Sequence, residues 1–212
     1  MRISYLLFLL ILCTSCNQHS EKIIPHSVQE INGRDEIISY GQKVRRPVYQ
    51  AKVPLVWQRH DPSEQESLMD TTKPIVTFTI NEKLRLTVHN FPTHSLEERI
   101  PPGAQLERWG SQLTGGTFRS EKVGHGGFIG LYFEGVKGAA TVCAWSMQLD
   151  LQHYQTLHFL AATVEEEEHY RQMTADYTIK VSGPSDLIEK HRDEIQLFAD
   201  SFELIGEIPD RV

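Results

Sequence analysis

Tyr177-Thr178-Ile179-Lys180-Val181-Ser182-Gly183-Pro184 is the stretch on which the rest of this chain turns. Tyr177, Ile179 and Val181 alternate with Thr178 and Lys180, and Ala175 precedes them in phase, which is the period of a half-buried β-strand. Gly183-Pro184 ends the strand and opens a helix, where proline's fixed φ suits the start and its missing amide costs nothing. Beyond it Leu187, Ile188, His191, Ile195, Phe198, Ala199 and Phe202 line one helical face. A strand that turns straight into so wide an apolar stripe predicts a helix folded back on a sheet.

Working outward, residues 75–80 and 84–89 form the clearest hairpin. The even positions are apolar in both arms, and Asn81-Glu82-Lys83 supplies a three-residue turn. Thr77, Thr79, Arg85 and Thr87 then face out, or towards a thin second layer. Pro101-Pro102-Gly103 opens a helix carrying Leu106, Trp109 and Leu113, and Gly115-Gly116 stops it. Further strands are expected over 127–133, 140–149 and 154–163, with an edge-like strand over 53–57. The charge run 165–168 reads as a solvated helix or loop. Cys143, Trp145, Met147 and Leu149 share one strand face, so Cys143 reads as a small buried hydrophobe rather than a nucleophile. Trp145 and Phe198 are assigned to the core. Strands, helix, strands, helix, joined by hairpins rather than βαβ units, indicate an α+β domain over 51–212: an antiparallel β-sheet flanked by helices.

The N-terminus carries a different message. Arg2 precedes an apolar run over 4–12, too short to span a bilayer, and small residues then lead to Cys16. Thr14-Ser15-Cys16 resembles the lipobox of bacterial lipoproteins, although Cys13 stands where leucine is usual. That resemblance implies a signal peptide over 1–15, acylation of Cys16 (palmitate among the chains) and anchoring to the inner or outer membrane of the cell envelope. Loss of residues 1–15 removes Arg2 and leaves 28 acidic against 20 basic side chains, net −8. Such a balance argues against nucleic acid as a partner. With Cys13 cleaved off and Cys16 acylated, Cys143 stands alone and no intrachain disulfide is expected. Residues 16–50, poor in periodic apolar positions and broken by Gly33, Gly41 and Pro47, read as a lipidated Cys and flexible tether. Lys43, Arg45, Arg46 and Lys52 read as its solvated flank.

The Trp109 helix, the run of strands, and the 177–184 strand leading to a helix that ends Phe198-Ala199-Asp200-Ser201-Phe202 together resemble the Mog1/PsbP-like fold over residues 53–205. The whole chain also resembles uncharacterised lipoproteins of the chlamydial type. The first resemblance implies an α/β/α sandwich. Most members of that family are binding or assembly proteins, so it implies a non-catalytic binding or assembly module. It would need no cofactor and would meet an envelope or host protein.

The residues themselves offer little chemistry. Ten histidines include the pairs His89/His94 and His153/His158, but neither sits in a helical metal motif, and no metal site is expected. No Gly-x-Ser-x-Gly surrounds Ser111, Ser120 or Ser146. An envelope hydrolase using His125 or the His153/His158 pair is the alternative function. Residues 114–127 hold five glycines and read as an exposed loop. It lacks the Lys-Ser/Thr ending of a phosphate-binding loop. Arg119, Lys122 and His125 on it are the candidate partner-binding residues.

Overall fold

The computed structural model describes residues 23–150 and 163–208. The signal segment and Cys16 lie outside them, as does the strand expected over 154–163, apart from Thr163. A seven-stranded, wholly antiparallel sheet organises the fold. Its strands are β5 (Gln58–His60), β6 (Val76–Asn81), β7 (Leu84–Phe91), β8 (Thr117–His125), β9 (Phe128–Lys137), β10 (Ala140–Leu149) and β11 (Asp176–Pro184), in the order β5-β6-β7-β11-β10-β9-β8. Strand β11 is therefore central, which suits its near-continuous run of buried residues from Asp176 to Val181. The α+β expectation holds.

One face of this sheet carries a second, smaller one. Its strands are β1 (His26–Asn32), β4 (Pro47–Pro54) and β12 (Glu203–Leu204), ordered β1-β4-β12. Beside it lie α3 (Ser185–Lys190) and α4 (Arg192–Asp200). Tyr49 of β4 stacks on Phe202 with ring centroids 4.8 Å apart and meets Tyr177 edge-on at 5.9 Å. Phe198 meets Phe78 at 5.2 Å. Trp145 and Phe198, at 5 % and 0 % exposure, are both in this core, with Cys143, Met147 and Leu149 on the Trp145 face. Helix α1 (Pro102–Ser111) covers the opposite face, where Leu106 and Trp109 pack on Phe133 and Ala144.

The tether over 16–50 is corrected from His26 onward. Strands β1 and β4 pair antiparallel from His26↔Pro54 to Ile31↔Tyr49. Apolar periodicity missed them because polar contacts hold much of this segment. Arg34, 3 % exposed, donates to the main-chain carbonyls of Asn90, Leu68, Asp70, Thr71 and Lys73. Burial lowers its pKa to about 10. Gln172 Oε1 accepts from the Arg34 amide and from Asn90 Nδ2. The short strands β2 (Glu36–Ile37) and β3 (Lys43–Val44) follow Arg34. Glu36 is fully buried between Arg46 and His169, and Arg45 binds Asp35. Arg45 and Arg46 are thus structural cations, not a solvated flank, whereas Lys43 and Lys52 are exposed.

Smaller corrections follow from register. Asn81 pairs with Leu84, so the hairpin turn is two residues long, and Asn81 Oδ1 accepts from the amides of Lys83 and Leu84. The expected strand over 53–57 is corrected: only its first two residues are strand, as the end of β4, and residues 55–57 turn the chain into β5, which edges the large sheet. The last helix breaks at His191, whose ring lies 3.0 Å from Glu194 Oε2. Residues 164–173 form a further helix, α2 (Val164–Met173), capped by Thr163. Its charge run over 165–168 faces largely outward while Gln172 and Met173 are buried.

Candidate functional site

Two hollows lie where α1 stands over the outer faces of β7, β11 and β10. Cross-strand register sets the floor: His89, Thr178 and Ser146 form one row, and Phe91 lies opposite Asp176 in the next. Odd residues of β7 and even residues of β11 point this way because their neighbours Val88, Ile179 and Val181 fill the core. Gln105, Arg108 and Trp109 of α1 form one wall with Ile100. Thr71 and Thr72 form the other, on a segment that Arg34 pins through its carbonyls. Two adjoining hollows of about 260 and 320 Å³ share Thr71, Phe91, Ile100, Gln105 and Thr178.

The two ends differ electrically. At one end Asp176 is tied to Arg99 and accepts from Gln148 Nε2 at 2.9 Å. Burial raises the Asp176 pKa, against the pull of those two partners. At the other end stand His89, Arg108 and Lys180. Desolvation, helped by Arg34, Lys180 and Arg108, drives the His89 pKa down to about 4, opposed by a hydrogen bond to the Thr72 main chain. The Lys180 pKa is lowered by burial and then by Arg108. Neither Arg108 nor Lys180 has a carboxylate partner among the described residues. Between the ends, Gln105 is 4 % exposed and its Oε1 has no hydrogen-bond partner among them. The groove can therefore hold a ligand through two cations, an idle amide acceptor and the apolar faces of Phe91, Ile100 and Trp109.

The loop over 114–127 is corrected: most of it is β8, an edge strand paired along its length with β9. The glycines that suggested a loop sit around its ends. Gly126 and Gly127, at φ +56° and +79°, make the left-handed two-residue turn that starts β9. The structure does not bring Arg119, Lys122 and His125 together. Residues 119 and 125 share one strand face and 122 takes the other, by simple alternation. Arg119 binds Glu134 at 2.6 Å, His125 Nε2 lies 3.6 Å from Glu203, and Lys122 is exposed.

Glu134 anchors a second polar cluster. A hydrogen bond from Arg192 lowers its pKa most, to about 2, against desolvation and with help from Arg119 and Tyr132. The Tyr132 hydroxyl lies 2.9 Å from Glu134 Oε2 and 3.4 Å from Cys143 Sγ. Cys143 is 2 % exposed, and burial pushes its thiol pKa up, the reverse of what a nucleophile needs. His153 and His158 lie outside the described residues. His89 stands in the groove, while His94 is exposed with its Nε2 2.6 Å from Arg171. No group of three His, Cys, Asp or Glu among the described residues is placed to hold a metal. None of their helices is long and apolar enough to cross a membrane.

Sequence reasoning missed the groove. One signal was present: Thr178 and Lys180 are polar positions on a strand that proves central, so their outward face needed a cover. No family model matches the chain. No curated protein matches it either. Among solved structures it is similar to the solution structure of cyanobacterial PsbP (CyanoP) from Synechocystis sp. PCC 6803, at 12 % identity and a TM-score of 0.47, over 87 % of this chain and 95 % of that one.

Proposed function

We propose that this chain is a lipid-anchored, non-catalytic binding or assembly module of the bacterial cell envelope, capturing its ligand in the α1 groove. The observation that carries the binding role is the groove's donor set: Arg108 and Lys180 without carboxylate partners, beside the idle Gln105 Oε1. These groups can hold a ligand but are poorly suited to transform one. His89, with a pKa near 4, is a weak base at neutral pH. The anchor rests on the apolar run over 4–12 followed by Thr14-Ser15-Cys16.

Labelled palmitate should enter the wild type and not Cys16→Ala; equal labelling of both contradicts the anchor. Small molecules extracted from purified full chain and identified by mass spectrometry test the rest. A compound recovered intact from the wild type and absent from Lys180→Met supports capture. Steady release of a cleaved product would point to an enzyme instead.

A further inference from the structure

We infer that the α1 groove is a receptor for small organic oxyanions, in which a carboxylate or phosphate head meets Arg108 and Lys180 while a flat apolar body lies against Phe91, Ile100 and Trp109. This rests on the groove being the binding site, and it goes further by naming the ligand's chemistry. The molecule's other well-placed arginines show why Arg108 and Lys180 stand out. Arg34 spends its guanidinium on five carbonyls; Arg45, Arg46, Arg99, Arg119 and Arg192 each meet a carboxylate. Arg108, whose side chain is exposed, and Lys180, which is partly desolvated, instead line one hollow of about 320 Å³ with His89, and neither meets a carboxylate there. Like charges gathered without a counter-charge oppose one another, and an anion relieves all of them together. The two carboxylates at the other end of the groove are already engaged: Asp176 by Arg99 and Gln148, and Glu98 by the His94 amide.

Gln105 adds direction. Its side chain is buried, lines both hollows, and leaves Oε1 unpartnered among the described residues. A buried acceptor is costly to leave empty. A donor one or two bonds from the ligand's head, an N–H or O–H, would fill it. The head then sits at the His89 end and the body runs along the shared wall towards Ile100.

His89 reports occupancy. The charges of Arg34, Lys180 and Arg108 act on it, and the Thr72 main chain bonds it. Three of these four neighbours are cations that disfavour a second proton. A bound anion offsets them, so the His89 pKa should rise from about 4 on binding, and binding should tighten as pH falls towards that value.

The test uses full chain in detergent micelles with histidine labelled at Cε1, titrated by NMR against four probes: phenylacetate, phenyl phosphate, phenylacetamide and inorganic phosphate. His89→Gln assigns the reporting signal. Phenylacetate or phenyl phosphate should bind and raise the His89 pKa by at least half a unit, and the tighter of the two identifies the head. Lys180→Met and Arg108→Met should each weaken that binding about tenfold, a lost charge-assisted contact. Arg108→Lys should restore most of it, and Arg85→Met, an exposed cation elsewhere on the sheet, should change it less than twofold. Phenylacetamide binding as tightly as phenylacetate would overturn the oxyanion while leaving the groove a binding site. Inorganic phosphate binding as tightly as phenyl phosphate would overturn the apolar half. If no probe moves the His89 signal, both the ligand class and the groove as a binding site fall.

Discussion

Arg34 ties the groove to the N-terminal segment. With its guanidinium fully engaged and only 3 % of its surface exposed, it fixes the wall bearing Thr71 and Thr72. Replacing it by Met leaves several carbonyls unsatisfied. Each buried carbonyl left without a donor costs about 1–3 kcal/mol, so a loss of several such increments is expected, read by urea denaturation. Trp145→Ala and Phe198→Ala should each cost about 3–5 kcal/mol through the cavity they leave. Acid titration separates two other residues. His89 ordinarily titrates near 6.5 and in the fold near 4, so its contribution is complete above 6.5 and disappears as pH falls to 4. Glu134 moves from 4.5 to about 2, so its share holds above 4.5 and is lost between there and 2. Asp176, with a raised pKa, works in the opposite direction as pH rises through the carboxylate range. The melting temperature should therefore fall in two stages on acidification. His89→Gln should flatten the first and Glu134→Gln the second; unchanged profiles in both variants would show that other groups govern acid sensitivity.

At the scale of elements, the central strands were legible and the margins were not. Alternation placed Cys143, Trp145, Met147 and Leu149 on one face of β10 because a core-facing strand must repeat every two residues. Helix α1 was legible from Leu106 and Trp109. Strand β8 was not, because an edge strand exposed on both faces has no apolar alternation to show. Strand β1 was hidden for a related reason: only Ile31 of its seven residues is buried, and Arg34 and Glu36 beyond it are held by ionic and main-chain partners. The groove escaped notice because Gln105, Arg108 and Lys180 come from different elements and meet only after folding. Close strand packing gives a test here. A Cβ at Gly130 would lie 2.0 Å from the Ser146 carbonyl oxygen and 2.9 Å from Met147 Cα, backbone that cannot step aside. Gly130→Ala should therefore force β9 from β10 at a cost of about 2–3 kcal/mol. Stability near wild type would mean that this pairing is looser than its register implies.

For the whole molecule, strand pairing among the described residues starts at His26, well before residue 51. A fragment starting at Pro47 looks self-sufficient from periodicity alone, since every later strand is present. It lacks β1, Arg34 and Glu36, so it should melt without a sharp transition, whereas the chain from Asn17 should melt cooperatively. Calorimetry on the two decides the point; equal cooperativity would make β1 an ornament.

The same boundary changes the search problem facing an anchored protein. From Cys16 to His26 the chain can span at most about 35 Å, against roughly 120 Å had it stayed extended to residue 51. On the proposed anchor, the accessible volume shrinks by roughly the cube of that ratio, some fortyfold, with a matching gain in effective concentration near the bilayer. The entering chain also runs beside the β4–β5 turn, where the Leu55 amide donates to Pro25 O. With that anchor in place, Leu55 and Val56, 64 % and 74 % exposed, would stand on the side where the chain enters from the lipid. So anchored, the protein would search nearly in two dimensions: partners sharing the membrane surface would meet it often, and those more than one molecular length away hardly at all.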